Sequence, residues 1–305
     1  MDIRQLRVLL AVADHGSFSA AARELHTVQS NVSNHIARLE RELGNDLINR
    51  STGELTAEGA AVAARARRIH AEVDAIGPDL AAMRDEITGT VRIGTIGTVG
   101  RWLLPRLLER LAADYPLLAL HVVDATTTSL APQVSNGDLH LAIVNLPIDD
   151  RDLEAEPMFD EMLVLALAAD DPLAKTDEIT LADLASMPVL VSPRGTSMRD
   201  GIDDELRANG LELSPRAEID GVSLLASMVG QGCGAGLLPA SAVPTDGSCA
   251  AIPVRGPVTR SVGLISNRRV PPSATTRTVV GVLRELIADE AHRRPALQPH
   301  PASAG

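Results

Sequence analysis

Residues 17–50 read SFSAAARELHTVQSNVSNHIARLERELGNDLINR, which is two helices with almost no connection between them. Ser17 offers a hydroxyl N-cap just after His15-Gly16, and that glycine closes a preceding helix. Ala21, Ala22 and Leu25 form one apolar face. Thr27 is the expected cap of the second helix. There Val32, Ile36, Leu39 and Leu43 recur at spacings of four, three and four, a buried stripe at the α-helical period. The opposite side of its first two turns carries Gln29, Ser30, Asn31, Ser33, Asn34 and His35. A short connection forces the two helices to cross steeply, so the second projects its polar N-terminal half. This is the geometry of a helix-turn-helix that enters the major groove of DNA.

Working outward, a helix over Ile3–Asp14 should bury Leu6, Leu9, Leu10 and Ala13 against this pair, with Phe18 plugging the same small core. After Arg50, Ser51-Thr52-Gly53-Glu54 is a tight turn into Leu55. From Ala57 to about Arg84 the apolar positions Val62, Ala66, Ile69, Val73, Ile76, Leu80 and Met83 alternate at four and three residues, three heptads of a coiled-coil seam. Such a helix can also pack on its own domain, but so narrow and regular a stripe favours another helix as partner. Two-fold pairing there would set two reader helices on successive turns of one DNA face, which requires an inverted-repeat operator. Gly77-Pro78 interrupts the seam, and Pro78 is expected to kink or split the helix.

Beyond residue 88 the pattern alternates. Strands are expected at Thr90–Gly94, Leu118–Val123, Leu141–Val144, Met162–Ala168, Val189–Val191, Glu218–Ile219 and Ala235–Leu238. Helices separate them at Arg101–Asp114, Ser129–Asn136, Met198–Asn209 and Val222–Val229, and a last one runs over Ser273–Asp289. Strands at this spacing with short helices between them give parallel βαβ units. RRPALQPHPASAG, after His292, has no core-forming pattern and reads as disordered.

The 305 residues suggest roughly two domains. Charge is divided unevenly: residues 1–68 hold nine Arg against eight Asp or Glu, net +1, so with −12 overall the remainder carries −13. Attraction to phosphate must come from the N-terminal part, and its weakness points to dimer avidity and base contacts. No secretory leader is expected, because Met1-Asp2-Ile3-Arg4-Gln5 opens into an amphipathic helix, and no apolar run nears the ~20 residues of a membrane helix, so a cytoplasmic protein is expected. Cys233 and Cys249 make no metal or disulfide framework. His15, His26 and His35 lack a second ligand at helical spacing, and no hydrolase context surrounds any nucleophile. Neither a metal, a cofactor nor catalytic machinery is expected.

The opening stretch, with LxxR at Leu47–Arg50 and LTAEG at Leu55–Gly59, resembles the DNA-binding domain of the LysR-type transcriptional regulators. The remainder is similar to that family's effector domain: VRIG at 91–94, LLPRLLERL at 103–111, NGDLHLAIV at 136–144, EMLVLAL at 161–167, TLADLA at 180–185 and GQGCGAGLLP at 230–239. The resemblance implies an α plus α/β chain. A winged helix-turn-helix (1–58) would precede a linker and dimerisation helix (59–88) and a two-lobed, type 2 periplasmic-binding-protein-like effector domain (89–290). Lobe 1 would cover about 89–161 and 268–290, lobe 2 about 162–267, with a disordered tail at 291–305. It further implies a one-component regulator that binds double-stranded DNA, a small-molecule effector and further copies of itself, as homodimer or homotetramer, with RNA polymerase as another candidate partner. Compared with the family pattern, the wing is shortened by about two residues and carries Glu54, so a plain turn is expected. The linker helix, commonly continuous, carries Gly77-Pro78. His140 stands where aspartate is frequent, a change without a physical account in the sequence.

Candidate DNA-binding residues are Ser17, Thr27, Gln29, Ser30, Asn31, Ser33, Asn34, Arg38, Arg41 and Arg50. Gln29, Asn31, Ser33 and Asn34 are those for base edges; Gln and Asn suit adenine N6 and N7, so an AT-bearing half-site is expected. Asn34 stands where the family often has arginine. Arg4, Arg38 and Arg41 are phosphate candidates, while Arg50 is equally suited to pair with Glu40. Dimerisation is assigned to Val62, Ile69, Val73, Ile76, Leu80 and Met83. Three hydroxyl-rich turns follow strands, where ligands of parallel sheets lie: 97–99, 126–129 and 192–197. In the family, positions matching Thr98, Thr127 and 192–197 line the interlobe cleft. The effector candidates are therefore Thr98, Val99, Thr127, Thr128, Ser192, Arg194, Thr196 and Val222, with helix capping as the alternative for each hydroxyl. Arg194, the sole base there, suits a carboxylate, and a small polar or anionic effector is expected. An effector-independent repressor or autoregulator is the rival reading. A dinucleotide enzyme is disfavoured because Gly94–Gly100 is spaced G-x-x-G-x-x-G, not G-x-G-x-x-G.

Overall fold

Val32, Ile36 and Leu39 are fully buried in the computed structural model, which describes residues 1–256, 258–294 and 296–300. They belong to α3 (Gln29–Leu43), which follows α1 (Ile3–His15) and α2 (Phe18–Glu24). The three helices close over Leu6, Leu9, Val12, Ala21 and Ala22, and Leu47 and Ile48 complete the core. Phe18 only packs half-buried at its rim, so the plug expected of it is supplied by the aliphatic residues. The ends of α1 are fixed chemically. Asp2 and Gln5 form a capping box, and Gly16 takes φ 66°, a left-handed conformation that suits glycine. The Ser17 hydroxyl accepts from Ala20 N at 3.2 Å, as the sequence suggests. Thr27 departs from its expected role: the N-cap of α3 is Val28, without a side-chain bond, and Thr27 Oγ1 instead accepts from Asn31 Nδ2 at 3.0 Å.

Glu40 organises the turn after α3. It is buried and accepts from Leu47 N at 3.0 Å, Ile48 N at 3.4 Å and Arg50 Nη2 at 2.7 Å. The wing is a minimal hairpin with one antiparallel bridge, Ile48 to Leu55, and Asn49 N donates to Glu54 O at 2.8 Å. α4 (Ala57–Ala82) starts from a Thr56 cap and passes very close to this hairpin, where a Cβ at Gly59 would fall 1.9 Å from the Leu47 carbonyl oxygen. Pro78 neither splits nor ends α4. Proline there removes one donor in an exposed stretch near the helix end, and the other bonds hold the helix. The expected seam is shorter than its sequence pattern. Val62 packs with Ala63 and Ala66 against the first core, whereas Ile69, Val73, Ile76, Leu80 and Met83 are exposed, Met83 at 81 %.

The second unit is α/β. In order it comprises β1 (Gly89–Thr95), α5 (Gly97–Asp114), β2 (Leu118–Asp124), α6 (Thr127–Asn136), β3 (Leu141–Leu146), β4 (Leu153–Ala168), α7 (Leu181–Ser186) and β5 (Pro188–Val191). Then follow α8 (Ser197–Ala208), β6 (Ser214–Glu218), α9 (Val222–Gly230), β7 (Gly236–Pro239), β8 (Cys249–Pro253), β9 (Thr259–Asn267), α10 (Ala274–Arg293) and β10 (Leu297–Pro299). The path β2-β1-β3-β9-β4 makes the sheet of the first lobe, with β1 parallel to β2 and β3, and β9 antiparallel to β3 and β4. The far half of β4 pairs antiparallel with β7 and β8, and β7-β5-β6 completes the second lobe. β4 is thus shared by both lobes.

Several sequence expectations need correction here. β4 begins at Leu153, not Met162, because Pro157 and the charged residues Glu154 and Glu156 mask its strand pattern; its register with β9 shifts between Pro157 and Phe159. β9 belongs to the first sheet, so the second lobe ends before Thr259, not at 267. The tail also starts later than 291. α10 runs to Arg293 because Glu290 and Ala291 are buried, and Leu297, itself buried, pairs opposite Glu161 of β4. Of the expected disordered tail, Pro295 and residues 301–305 lie outside the described residues.

Removing the Glu40 carboxylate leaves two buried backbone donors unmet. Glu40→Ala should therefore lower stability by about 2–4 kcal/mol, whereas Arg50→Ala, on a side chain 55 % exposed, should cost at most about 1 kcal/mol. Denaturant unfolding of both variants measures the difference.

Candidate nucleic-acid interface and ligand cleft

α3 buries one stripe and so exposes the other. Gln29, Ser30, Asn31 and Asn34 are exposed and Ser33 is half-buried, so five of the sequence candidates share one accessible face. The Ser19 hydroxyl donates to Gln29 Oε1 at 3.1 Å and Thr27 holds Asn31, which orients these two amides. Because Val28 provides no side-chain cap, the N–H groups of Gln29 and Ser30 keep free valence toward an anion, while Asn31 N turns back to the Val28 carbonyl at 3.0 Å. Val28 itself is 64 % exposed at this end, an apolar surface that the sequence reading passed over. Arg4 and Arg7 of α1 flank Asn31 and His35 in a shallow depression; Arg4 is one of the sequence candidates for phosphate, and Arg7, one turn on, was missed. Ser17 is taken up in capping α2. Arg41 is exposed with no ion-pair partner among the described residues, whereas Arg38 pairs with Glu42 at 3.1 Å and Arg50 with Glu40. The Arg50 side chain stays 55 % exposed beside that ion pair.

In the second unit a cavity of about 270 Å³ lies between the lobes. The first turns of α5, α6, α8 and α9 converge on it, bringing Thr98, Thr127, Thr128, Ser192, Thr196 and Val222 to its wall. Two of the eight effector candidates are not there. Val99 is fully buried in the first lobe's core, because the helical turn that presents Thr98 points its neighbour inward. Arg194 is exposed and pairs with Glu212 at 3.1 Å and Asp203 at 3.6 Å, outside the cleft.

The base that does line the cleft is Arg260 of β9, which the sequence reading missed because β9 itself went unread. Its guanidinium donates from Nε and Nη2 to Glu161 Oε2 at 2.9 and 2.5 Å, from Nη2 to Thr98 Oγ1 at 3.0 Å and from Nη1 to Asn145 Oδ1 at 3.3 Å. Glu161 is fully buried and also accepts from Ser241 N at 2.7 Å. The cation is thus matched inside the protein. A second buried arginine, Arg199, fixes the 192–197 turn by donating to Ser192 O at 3.1 Å, with Asp203 and Glu218 as its ion partners.

The field in the cleft is nearly balanced. Four helix N-termini contribute roughly half a positive charge each, and the carboxylates of Asp124 and Asp220 stand on the same wall. Asp124 lies against the start of α5, where a Cβ at Gly97 would come 3.0 Å from its Oδ1. The cleft therefore carries little net charge, its hydroxyls set in a mostly apolar surface. The glycines of the Gly94–Gly100 turn serve packing: added Cβ atoms would meet Leu130, Ala142 and Leu139 within 2.9 Å at Gly94, and Thr95 at 2.8 Å at Gly100.

A helix-turn-helix with a long following helix, joined in one chain to a two-lobed α/β unit with a central cleft, defines a ligand-responsive DNA-binding regulator. Residues 3–60 match the family model described as "Bacterial regulatory helix-turn-helix protein, lysR family", and residues 84–288 match "LysR substrate binding domain". The chain belongs to the LysR family: it is a DNA-binding transcriptional regulator with a small-molecule-binding domain, and not an enzyme. Among its relatives, the probable hydrogen peroxide-inducible genes activator of Mycobacterium leprae is 33 % identical over 303 residues, 96 % of each chain. The DNA-binding transcriptional dual regulator OxyR of Escherichia coli is 32 % identical over 248 residues, 81 % of each. Among solved structures, a full-length OxyR cysteine-to-aspartate variant from Pseudomonas aeruginosa superposes with TM-score 0.75 at 25 % identity, covering 94 % of each chain. The regulator CbnR in complex with its target DNA shares the fold, with TM-score 0.68 at 24 % identity over 95 % of this chain and 100 % of that one.

Breaking a buried pair strands its partner. Glu161→Ala should destabilise the protein by about 3–5 kcal/mol, whereas replacing both members, Glu161→Met with Arg260→Met, should recover most of that loss. Denaturant melts of the single and double variants provide the comparison.

Proposed function

We propose that this regulator reads an AT-bearing inverted repeat with the exposed face of α3, and that a small uncharged or zwitterionic ligand held by hydroxyls in the interlobe cleft controls it. The observation that carries the first part is the sharing of α3 between a fully buried stripe and an accessible row of amides and hydroxyls. Gln29, Asn31 and Asn34 are suited to adenine edges, Val28 to a thymine methyl, and the uncapped start of α3 with Arg4, Arg7 and Arg41 to phosphates. Self-association would use Ile69, Val73, Ile76, Leu80 and Met83, whose exposure in a single chain leaves an apolar stripe uncovered. The cytoplasm is the compartment this work requires; no helix among the described residues is long and apolar enough to cross a membrane. The ligand class follows from the cleft's balanced field and from Arg260 being already matched by Glu161. By linkage, the ligand shifts DNA affinity only by its difference in affinity for the two states.

The relatives favour a second reading, a response to hydrogen peroxide. Against a thiol in the cleft stands the placement of this chain's two cysteines. Cys233 and Cys249 are free, half-buried beside the small cluster of Ala166, Leu190 and Leu238, and absent from the cleft wall. Reversible binding is the reading we adopt.

Asn34→Ala should relax sequence choice at one base pair by about 1–3 kcal/mol, and Arg41→Ala should weaken all sites alike. Titration against base-substituted operators separates the two; uniform loss for Asn34→Ala removes it from the reading set. Leu80→Glu with Ile76→Glu should convert the assembly to monomers in sedimentation and abolish cooperative operator binding. Peroxide-dependent operator binding that disappears in Cys233→Ser or Cys249→Ser would replace the reversible-ligand reading with the oxidative one.

A further inference from the structure

The polar groups of the interlobe cleft are sorted by sign. Asp124 ends β2 and lies against the start of α5, and Asp220 stands just before Gly221, the N-cap of α9. α5 and α9 pack on one another, which gathers one carboxylate from each lobe on that side of the cleft. Neither carboxylate has a hydrogen-bond or ion-pair partner among the described residues, and the arginine of the cleft is already matched by Glu161. A ligand that is only an anion would meet two unmatched acids and no free base.

The other two helix starts carry the opposite sign. Thr127 Oγ1 accepts from Asn145 N at 3.0 Å, and the Ser197 hydroxyl donates to Pro147 O at 3.5 Å, so α6 and α8 begin close together at the end of β3. The N–H groups of Thr127, Thr128, Ser197 and Met198 have no acceptor among the described residues, and all four residues line the cleft. Open N–H groups at a helix start favour an anion. Ser192 adds an independent observation. It is only 6 % exposed, it lines the same cleft, and its hydroxyl has no hydrogen-bond partner among the described residues. A polar group so deeply placed is nearly always paired, and here the open side is the cleft.

Given that the cleft holds a reversible ligand, as proposed above, we infer that this ligand is an α-amino acid. Its ammonium lies between Asp124 and Asp220, and its carboxylate lies on the starts of α6 and α8, with Ser192 as a further hydrogen-bonding group. The cavity of about 270 Å³ and its mostly apolar surface suit a small, uncharged side chain.

Full-length protein is screened by thermal shift against the standard L-amino acids singly, and the best is titrated by calorimetry beside its two truncated forms. For L-valine these are isovalerate, which lacks the ammonium, and isobutylamine, which lacks the carboxylate. The amino acid should bind about tenfold or more tighter than either, since each loses one set of charge-assisted contacts. Asp124→Asn and Asp220→Asn should each weaken the amino acid about tenfold and strengthen the form without an ammonium. A merely damaged fold would weaken both, so this opposite movement is the signature. Binding should disappear in Ser223→Phe, which puts a ring on the cleft wall; binding that survives there lies elsewhere and overturns the inference. A truncated form that binds wild type as tightly as its parent also overturns it, and leaves the reversible-ligand reading standing. No saturable response to any amino acid up to roughly 10 mM overturns it as well. Uncharged probes, D-glucose and uracil, then tell the two readings apart: stabilisation of wild type but not of Ser223→Phe keeps the cleft as a ligand site, and silence removes both.

Discussion

The buried pair of Glu161 and Arg260 is the constraint on which the ligand-binding unit depends. Two charges removed from water must be compensated within the protein, and here every compensating group is a structural one. β4 brings Glu161 to the place where that strand passes from one sheet to the other, and β9 brings Arg260 alongside it in register. Thr98 at the start of α5, Asn145 on β3 and the backbone at Ser241 are then drawn to the same point. The pair therefore sets the floor of the cleft, fixes the first turn of α5 and neutralises the one base that a ligand would otherwise meet.

The DNA-reading unit solves a related problem with Glu40. One carboxylate ends α3, ties down the two buried residues that enter the wing, and engages Arg50. The stub of a wing survives because its two ends are held by this anchor. Its four-residue turn, Ser51–Glu54, adds one acid and no base, which leaves phosphate attraction to α1 and α3. With only one more base than acid in residues 1–68, the proposed recognition relies on base contacts and on doubling of the site.

Much of this was legible in the sequence, and unevenly so. Helix period, glycine stops and the alternating α/β pattern placed α1 to α4 and most of the ligand-binding unit, because each rests on spacing within one segment. The LysR motifs did the same for its family. What could not be read depends on distant partners. Arg260 is one arginine in a stretch without strong pattern, and only the pairing of β9 with β4 brings it to Glu161. Val99 and Thr98 are adjacent in sequence and opposite in fate, because a helix rotates about 100° per residue. Arg194 is the sole base in the three turns that the family resemblance sets at the cleft, yet the turn that Arg199 anchors sends it toward Asp203 and Glu212. Pro78 was expected to kink or split α4, and the helix is not split, since one missing donor near an exposed end is a small loss. The tail from 291 lacks an apolar pattern, but Leu297 alone, with a vacant edge of β4 beside it, suffices for a short strand.

The close approach at Gly59 has a mechanical meaning. With its α-carbon pressed on the Leu47 carbonyl, and Ala63 and Ala66 seated in the same core, the first three turns of α4 have no play against the reader. A rotation of that long rod would carry the three-helix unit with it. Even a methyl group at this one position would meet backbone of Leu47, so the rod and the entry to the wing would be forced apart.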